Sequence, residues 1–388
     1  MSTEEAAAGT AARAQSLSRG AVGDALLLIE RAQNGTEDWA AVHELLRTVT
    51  AHGLLAGEDA SLFFGAPAVA FALHTAAGGT DRYARALSTL DAAVATVTDR
   101  RLALANARID RSVRPRAAEF DVLYGLTGLG AYWLRRDPRG SRLPEVLAYL
   151  VRLTRPLPGH PDRLPGWWVG HGPTVSSSDG FAFTDGHANV GMAHGIAGPL
   201  SLLALAMRQG ITVDGHAEAI GRICAWLDAI RGEGALGFWW PRWLTLPEHR
   251  VGSVAGSGSP PPSWCYGSSG LARAQQLAAL AVGDAERQRM AEGVLVRAFT
   301  EPAHLAGVQD AGLCHGTAGL LQIARRAAQD APPGAFAAPI ARLHSLLLEQ
   351  EPARTEGFLG GPTGVALALA TAPTAVPTSD WDTCLLIT

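Results

Sequence analysis

Residues 312–319 read Gly-Leu-Cys-His-Gly-Thr-Ala-Gly and set a thiol, Cys314, beside an imidazole, His315, directly before a helix-starting glycine. A second thiol, Cys265, stands in Trp264-Cys-Tyr-Gly267. Two thiolates and an imidazole suit zinc, and three protein donors leave one tetrahedral position open, as a catalytic zinc site requires. The spacing between the two cysteines is too long to argue this by itself, and two buried cysteines with a capping histidine is the plainer alternative. His194 precedes Gly195 by one residue, as Tyr266 precedes Gly267 and His315 precedes Gly316, and is the leading acid–base candidate. Asp121, four residues before Gly125, could orient His194 or a substrate, or simply cap a helix. His187, in Asp185-Gly-His-Ala-Asn189, is a second acid–base candidate for which a structural role is the better reading. Cys224, in Arg222-Ile-Cys-Ala-Trp226, reads as helix core, and Cys384, in a short apolar tail, as packing.

These residues sit at copies of one local pattern. A glycine, a small residue three positions on and then an apolar run recur at Gly65/Ala68, Gly125/Gly128, Gly195/Gly198, Gly267/Gly270, Gly316/Gly319 and Gly361/Gly364. Neither GxGxxG nor a Lys-Ser/Thr ending accompanies them, so a helix start explains the glycines better than a phosphate cradle does. Each step opens a small-residue helix, apolar nearly all round, over 66–77, 126–136, 196–209, 269–281, 317–328 and 363–371. A charge-bearing amphipathic helix follows each of the first five, over 82–98, 142–155, 216–231, 284–299 and 335–350. A helical hairpin carrying Leu26, Ile29, Val42 and Leu46 comes first. Only a helix buried on all sides can be apolar all round, so the alternation predicts an inner and an outer layer. The repeat is longer and less regular than the 34 residues or so of a tetratricopeptide solenoid. A ring of helical hairpins closed on itself, an all-α α/α toroid, fits better. Closure would bring the inner-helix N-termini, with Asp121, His194, Cys265, Cys314 and His315, to one end. Free N–H groups there would favour thiolates and oxyanions.

The chain of 388 residues is 47% hydrophobic and 18% charged, an ordinary globular composition. Residues 1–16 are Ala/Thr/Glu-rich without periodicity and read as a mobile tail able to turn helical, and 17–388 as a single toroid domain. A net charge of −4 with scattered arginines gives no basic stripe, which excludes nucleic acid as a natural partner. The acidic start lacks an apolar signal region, and no apolar run of transmembrane length occurs, so the protein reads as cytoplasmic. Four widely separated cysteines are no disulfide framework. Residues 156–190 and 232–263 hold too many prolines and glycines for helix. They read as long loops with room for short strands. Standing just before His194 and Cys265, they would wall the same end, and their tryptophans suit a peptide groove. Filling the centre of the ring is the alternative.

Gly191-Met-Ala-His-Gly-Ile-Ala-Gly198, Trp264-Cys-Tyr-Gly267 with Gly270, and Leu313-Cys-His-Gly-Thr-Ala-Gly-Leu320 together resemble, in order and in spacing, the three signature motifs of the lanthionine synthetase C-like proteins. Within that family the fit is best to the stand-alone bacterial cyclases of lanthipeptide biosynthesis, and it runs from about residue 20 to the Trp381-Asp-Thr-Cys-Leu-Leu tail. The resemblance implies an α/α toroid with one zinc ion per chain, held by Cys265, Cys314 and His315. It implies acid–base roles for His194 and Asp121 and a pocket role for Tyr266. The implied reaction adds cysteine thiols of a dehydrated precursor peptide to dehydroalanine or dehydrobutyrine. A dehydratase and an export transporter are the partners such a protein could dock. One position departs: Pro261 stands where the best-fitting cyclase has an arginine, so no role of that arginine carries over. Two other readings stay open, a zinc-containing family scaffold without catalysis and a family member that adds glutathione to dehydrated proteins. A prenyltransferase-like zinc toroid would also activate a thiol, but its Asp, Cys, His ligand set disagrees with Cys, Cys, His.

Overall fold

The computed structural model describes residues 3–51, 53–173, 183–252, 260–351, 355–372 and 375–388. Residues 174–182 and 253–259, within the two expected loops, and the first two residues of the tail lie outside that description. The chain is helical, with the first helix over Thr3–Ala14.

The alternation of helix types is plain in the burial. In Ala66–Ala77 every residue but His74 is buried, and Ala197–Arg208 is buried from Ala197 to Ala206. Ser268–Val282 and Thr317–Asp330 are buried through Ala279 and Ala327 respectively. By contrast, Arg142–Leu153 buries Leu143, Val146, Leu147, Leu150 and Leu153 among others, and Ala337–Glu349 buries Pro339, Ile340, Leu343 and Leu347. That is the 3.6-residue stripe of a helix with one wet face. Each leucine so buried contributes roughly 2 kcal/mol of transfer free energy.

Two compact units are distinguished, one of residues 1–98 with 308–386 and 388, the other of 99–307 with 387. In the first, Ala21–Gln33 packs on Trp39–Thr50, Ala66–Ala77 and Pro362–Ala370, and Thr317–Asp330 packs on Ala337–Glu349 and Pro362–Ala370. The C-terminal turn Trp381–Leu385 is tied in by Asp382, which accepts from Arg326 Nη2 at 2.5 Å and Gln322 Nε2 at 2.7 Å. Cys384 is buried there as packing. In the second unit, Ser268–Val282 lies against Ala197–Arg208 and Ala285–Thr300, while Leu126–Arg136 packs on Arg142–Leu153 and Ala197–Arg208. Cys224 lies in the buried stripe of His216–Ala229.

The spacing of the glycine steps has a steric cause. A Cβ at Gly319 would run into the carbonyl of Leu313, and one at Gly270 into that of Trp264. The peptide six residues back lies on the first helical turn, and only glycine leaves room for it.

The structure departs from sequence expectation in two helices. The amphipathic helix expected over 82–98 is Ala84–Asp110, running past Thr98 because no glycine or proline interrupts its Ala, Leu and Arg before Pro115. Within 232–263, expected to be helix-free, Leu246–Val251 is helical. There Glu248 accepts from both Thr245 N (2.9 Å) and Thr245 Oγ1 (2.7 Å), and Pro247 stands in the first turn, where its missing N–H costs nothing. The loops do carry short strands. His187–Asn189 pairs antiparallel with Trp243–Thr245, which joins the two loops, and Gly232–Gly234 forms a hairpin with Gly237–Trp239. Among the described residues no helix is long and apolar enough to cross a membrane.

Candidate active site

Asp121 lies in the turn between the short helix Ala117–Phe120 and Leu126–Arg136. Its carboxylate is buried and divides its work. Oδ1 accepts from the backbone N–H groups of Tyr124 (2.6 Å) and Gly125 (2.8 Å), while Oδ2 meets Nδ1 of His194 at 2.7 Å. Of the two alternatives the sequence offers, capping and orienting, the geometry gives the second: Oδ1 closes the turn ahead of Leu126–Arg136, whose first turn takes no side-chain cap, and Oδ2 orients the histidine. The turn is braced from behind by Glu119, which takes a two-nitrogen contact from Arg108 and a hydrogen bond from Tyr149 Oη at 2.7 Å.

With Nδ1–H donating to Asp121, the other nitrogen of His194, Nε2, is the one left for chemistry. The His194 side chain is 28% exposed and sits between two rings. Tyr124 stacks at 5.8 Å between centroids and 18° between planes, and Tyr266 lies 6.4 Å away at 36°. Burial raises the pKa of the Tyr266 phenol above its usual value, so it remains a proton-bearing group at neutral pH. Its oxygen accepts from Asn189 Nδ2 at 3.2 Å.

Cys265 is buried, and its carbonyl accepts from Met192 N at 3.0 Å, which ties the segment before His194 to the segment that carries the thiol. Cys314 and His315 lie in the loop before Thr317–Asp330. Cys265, Cys314 and His315 could hold a metal ion, and two sulfurs with one nitrogen are donors that zinc accepts.

A family model described as lanthionine synthetase C-like protein matches residues 12–386. The chain belongs to that family. The nisin biosynthesis protein NisC of Lactococcus lactis subsp. lactis is 24% identical to it over 285 residues. That match covers 73% of this chain and 65% of the relative, just under two thirds of the relative's length. The solved structure of nisin cyclase superposes with a TM-score of 0.81 at 22% identity, covering 99% of this chain and 95% of that one. The likeness shows the fold to be the α/α toroid that the helix repeat predicts.

In this lanthionine synthetase C-like chain one expectation about the site needs correction. Helix N-termini were expected to present free N–H groups, but the chain's own loops use them. Thr317, Ala318 and Gly319 donate to the carbonyls of Asp310, Ala311 and Gly312, Gly270 donates to Ser263, and Gly128 to Asp121. Backbone donors that water does not reach must be paired, and the tight glycine turns bring carbonyls to them.

His187 is enclosed. Nδ1 faces the His171 carbonyl at 2.8 Å, Nε2 has no partner among the described residues, and burial pushes the pKa down to about 4. The ring is therefore neutral at ordinary pH, which suits a structural residue better than an acid. Sequence reasoning passed over Asn189, Tyr124 and Asp310. Asp310 Oδ2 lies 3.7 Å from His315 Nε2, while its Oδ1 accepts from Gly312 N at 2.6 Å. A carboxylate beside an imidazole donor helps to orient the ring. Only its position shortly before the Cys-His pair could have signalled it.

Proposed function

We propose that this protein is a zinc-dependent lanthipeptide cyclase, which closes thioether rings by adding cysteine thiols of a dehydrated precursor peptide to its dehydroalanine or dehydrobutyrine residues. The observation that carries this reading is the Asp121–His194 pair: a buried carboxylate fixes Nδ1 and leaves Nε2 for proton transfer, on a chain that also carries Cys265, Cys314 and His315 as metal donors.

Those three residues would hold the ion. When bound, zinc would keep a substrate thiol ionised at neutral pH, where a free thiol with a pKa near 8.5 is only about 3% thiolate. The side chains do the rest. His194 Nε2 receives the thiol proton, and Asp121 stabilises the resulting imidazolium without taking the proton itself. The sulfur bonds to Cβ of the dehydro residue, and the alkene pair moves through Cα to the carbonyl as an enolate. His194 then returns its proton to Cα. One S–H and one C=C π bond are exchanged for one C–S and one C–H bond, so the peptide's mass does not change. Tyr266, protonated and beside His194, lines the pocket in which the enolate forms. Pro261 offers no donor, and the scheme uses none there. Because a thiolate's nucleophilicity falls with its pKa, holding sulfur against alkene should matter as much as ionisation. Dehydrated residues must first be made from serine and threonine, so the enzyme class that supplies the substrate is a dehydratase.

The glutathione-adding alternative is separated from this one by mass. A peptide bearing one dehydroalanine and one cysteine, incubated with the protein and glutathione, is expected to keep its mass while losing its free thiol. A product heavier by one glutathione would overturn the cyclase reading.

A further inference from the structure

Five of the six steps set a ring immediately before the glycine, and three of those rings meet at the acid–base pair: Tyr124 before Gly125, His194 before Gly195 and Tyr266 before Gly267. In the structure these three are successive neighbours, Tyr124 on His194 and His194 on Tyr266. The scheme above gives His194 and Tyr266 work and leaves Tyr124 with none.

Tyr124 is 50% exposed, so burial is not what holds it over the imidazole. Its main chain is held instead from both sides. The N–H donates to Asp121 Oδ1 at 2.6 Å, and the carbonyl accepts from Arg101 Nη1. The carboxylate that grips the Tyr124 backbone is the one that takes Nδ1 of His194 through its other oxygen. The Cβ bond and a single hydrogen bond at Nδ1 still let the imidazole rock by coupled changes of χ1 and χ2, which tilt its plane. A ring stacked within 18° of parallel limits that rocking.

We infer that Tyr124 is a positioning residue for His194, its ring setting the plane of the imidazole and so the direction in which Nε2 receives and returns the proton. This rests on the acid–base role of His194 in the proposed cyclase. The stacking face does the work and the phenol oxygen does not. Misplacing a reacting group by about 1 Å can cost up to about 10²-fold in rate, which sets the scale.

The test follows thiol loss from a synthetic peptide bearing one dehydroalanine and one cysteine. Tyr124→Ala is expected to lower kcat by about 10- to 10²-fold with KM nearly unchanged, and Tyr124→Phe to stay within about twofold of the parent. In a His194→Asn background Tyr124→Ala should cost nothing further, since residues that act as a unit are not additive. A raised KM with unchanged kcat, which would make Tyr124 a peptide contact, or an equal loss in the His194→Asn background would overturn the inference. Should the parent protein close no rings, the cyclase reading fails, and carbon relaxation of the labelled His194 ring decides the inference by itself. The ring should be ordered in the parent and in Tyr124→Phe and mobile in Tyr124→Ala, and equal order in all three would refute it.

Discussion

His194→Asn is expected to fold, to keep its metal and to close rings at least about 10²-fold more slowly, the usual scale for loss of a general acid–base group. The fold should survive because Asp121 remains paired with the N–H groups of Tyr124 and Gly125 whatever stands at position 194. Metal should be retained because His194 is not among the proposed donors, Cys265, Cys314 and His315. What disappears is the proton on Nε2. The thiol would still add, but the enolate would wait for water, and since addition is reversible the thiolate would leave again before rings accumulate. Ring formation at the parent rate, with zinc content unchanged, would remove His194 from the mechanism. Loss of zinc would instead make His194 a ligand and require the donor set to be redrawn.

Cys314→Ala is expected to take zinc from about one ion per chain to near none, and ring formation with it, because one of the three proposed donors is gone. The loop itself should persist, since the bond from Cys314 N to the Leu359 carbonyl, at 2.8 Å, does not involve the thiol. Cys224→Ala is the matched control. That thiol is buried in the His216–Ala229 helix, and burial pushes its pKa up to about 11, so it is neither ionised nor presented to a ligand. Elemental analysis should find the control fully metallated. A metallated Cys314→Ala would contradict the assignment, and a metal-free Cys224→Ala would show that the wrong cysteine was chosen.

Much of this fold was legible because each helix type leaves its own period. The run Ala66–Ala77 is apolar in every direction, whereas Arg142–Leu153 alternates charge with leucine at helical spacing. Glycine steps announced the helix starts, since the close approach at Gly270 and Gly319 admits no side chain. Long-range geometry was not legible in the same way. That Asp121 closes its own turn and orients His194 depends on where its two oxygens point, and a residue type does not say. Tyr124 occupies the same slot as His194 and Tyr266, but its place in the sequence does not say that its ring lies on the imidazole. Leu246–Val251 was hidden by neighbouring prolines and glycines, although Thr245 and Glu248 stand at capping-box spacing.

The central claim is that this chain closes thioether rings with its own acid–base pair and a metal held by two cysteines and a histidine. The most direct test incubates the zinc-loaded protein with a peptide bearing one dehydroalanine and one cysteine, then alkylates and counts free thiols by mass. The account predicts that the peptide escapes alkylation while keeping its starting mass, that removing zinc with a chelator restores alkylation, and that returning zinc abolishes it again. A peptide that stays fully alkylated in the presence of the zinc-loaded protein would contradict it.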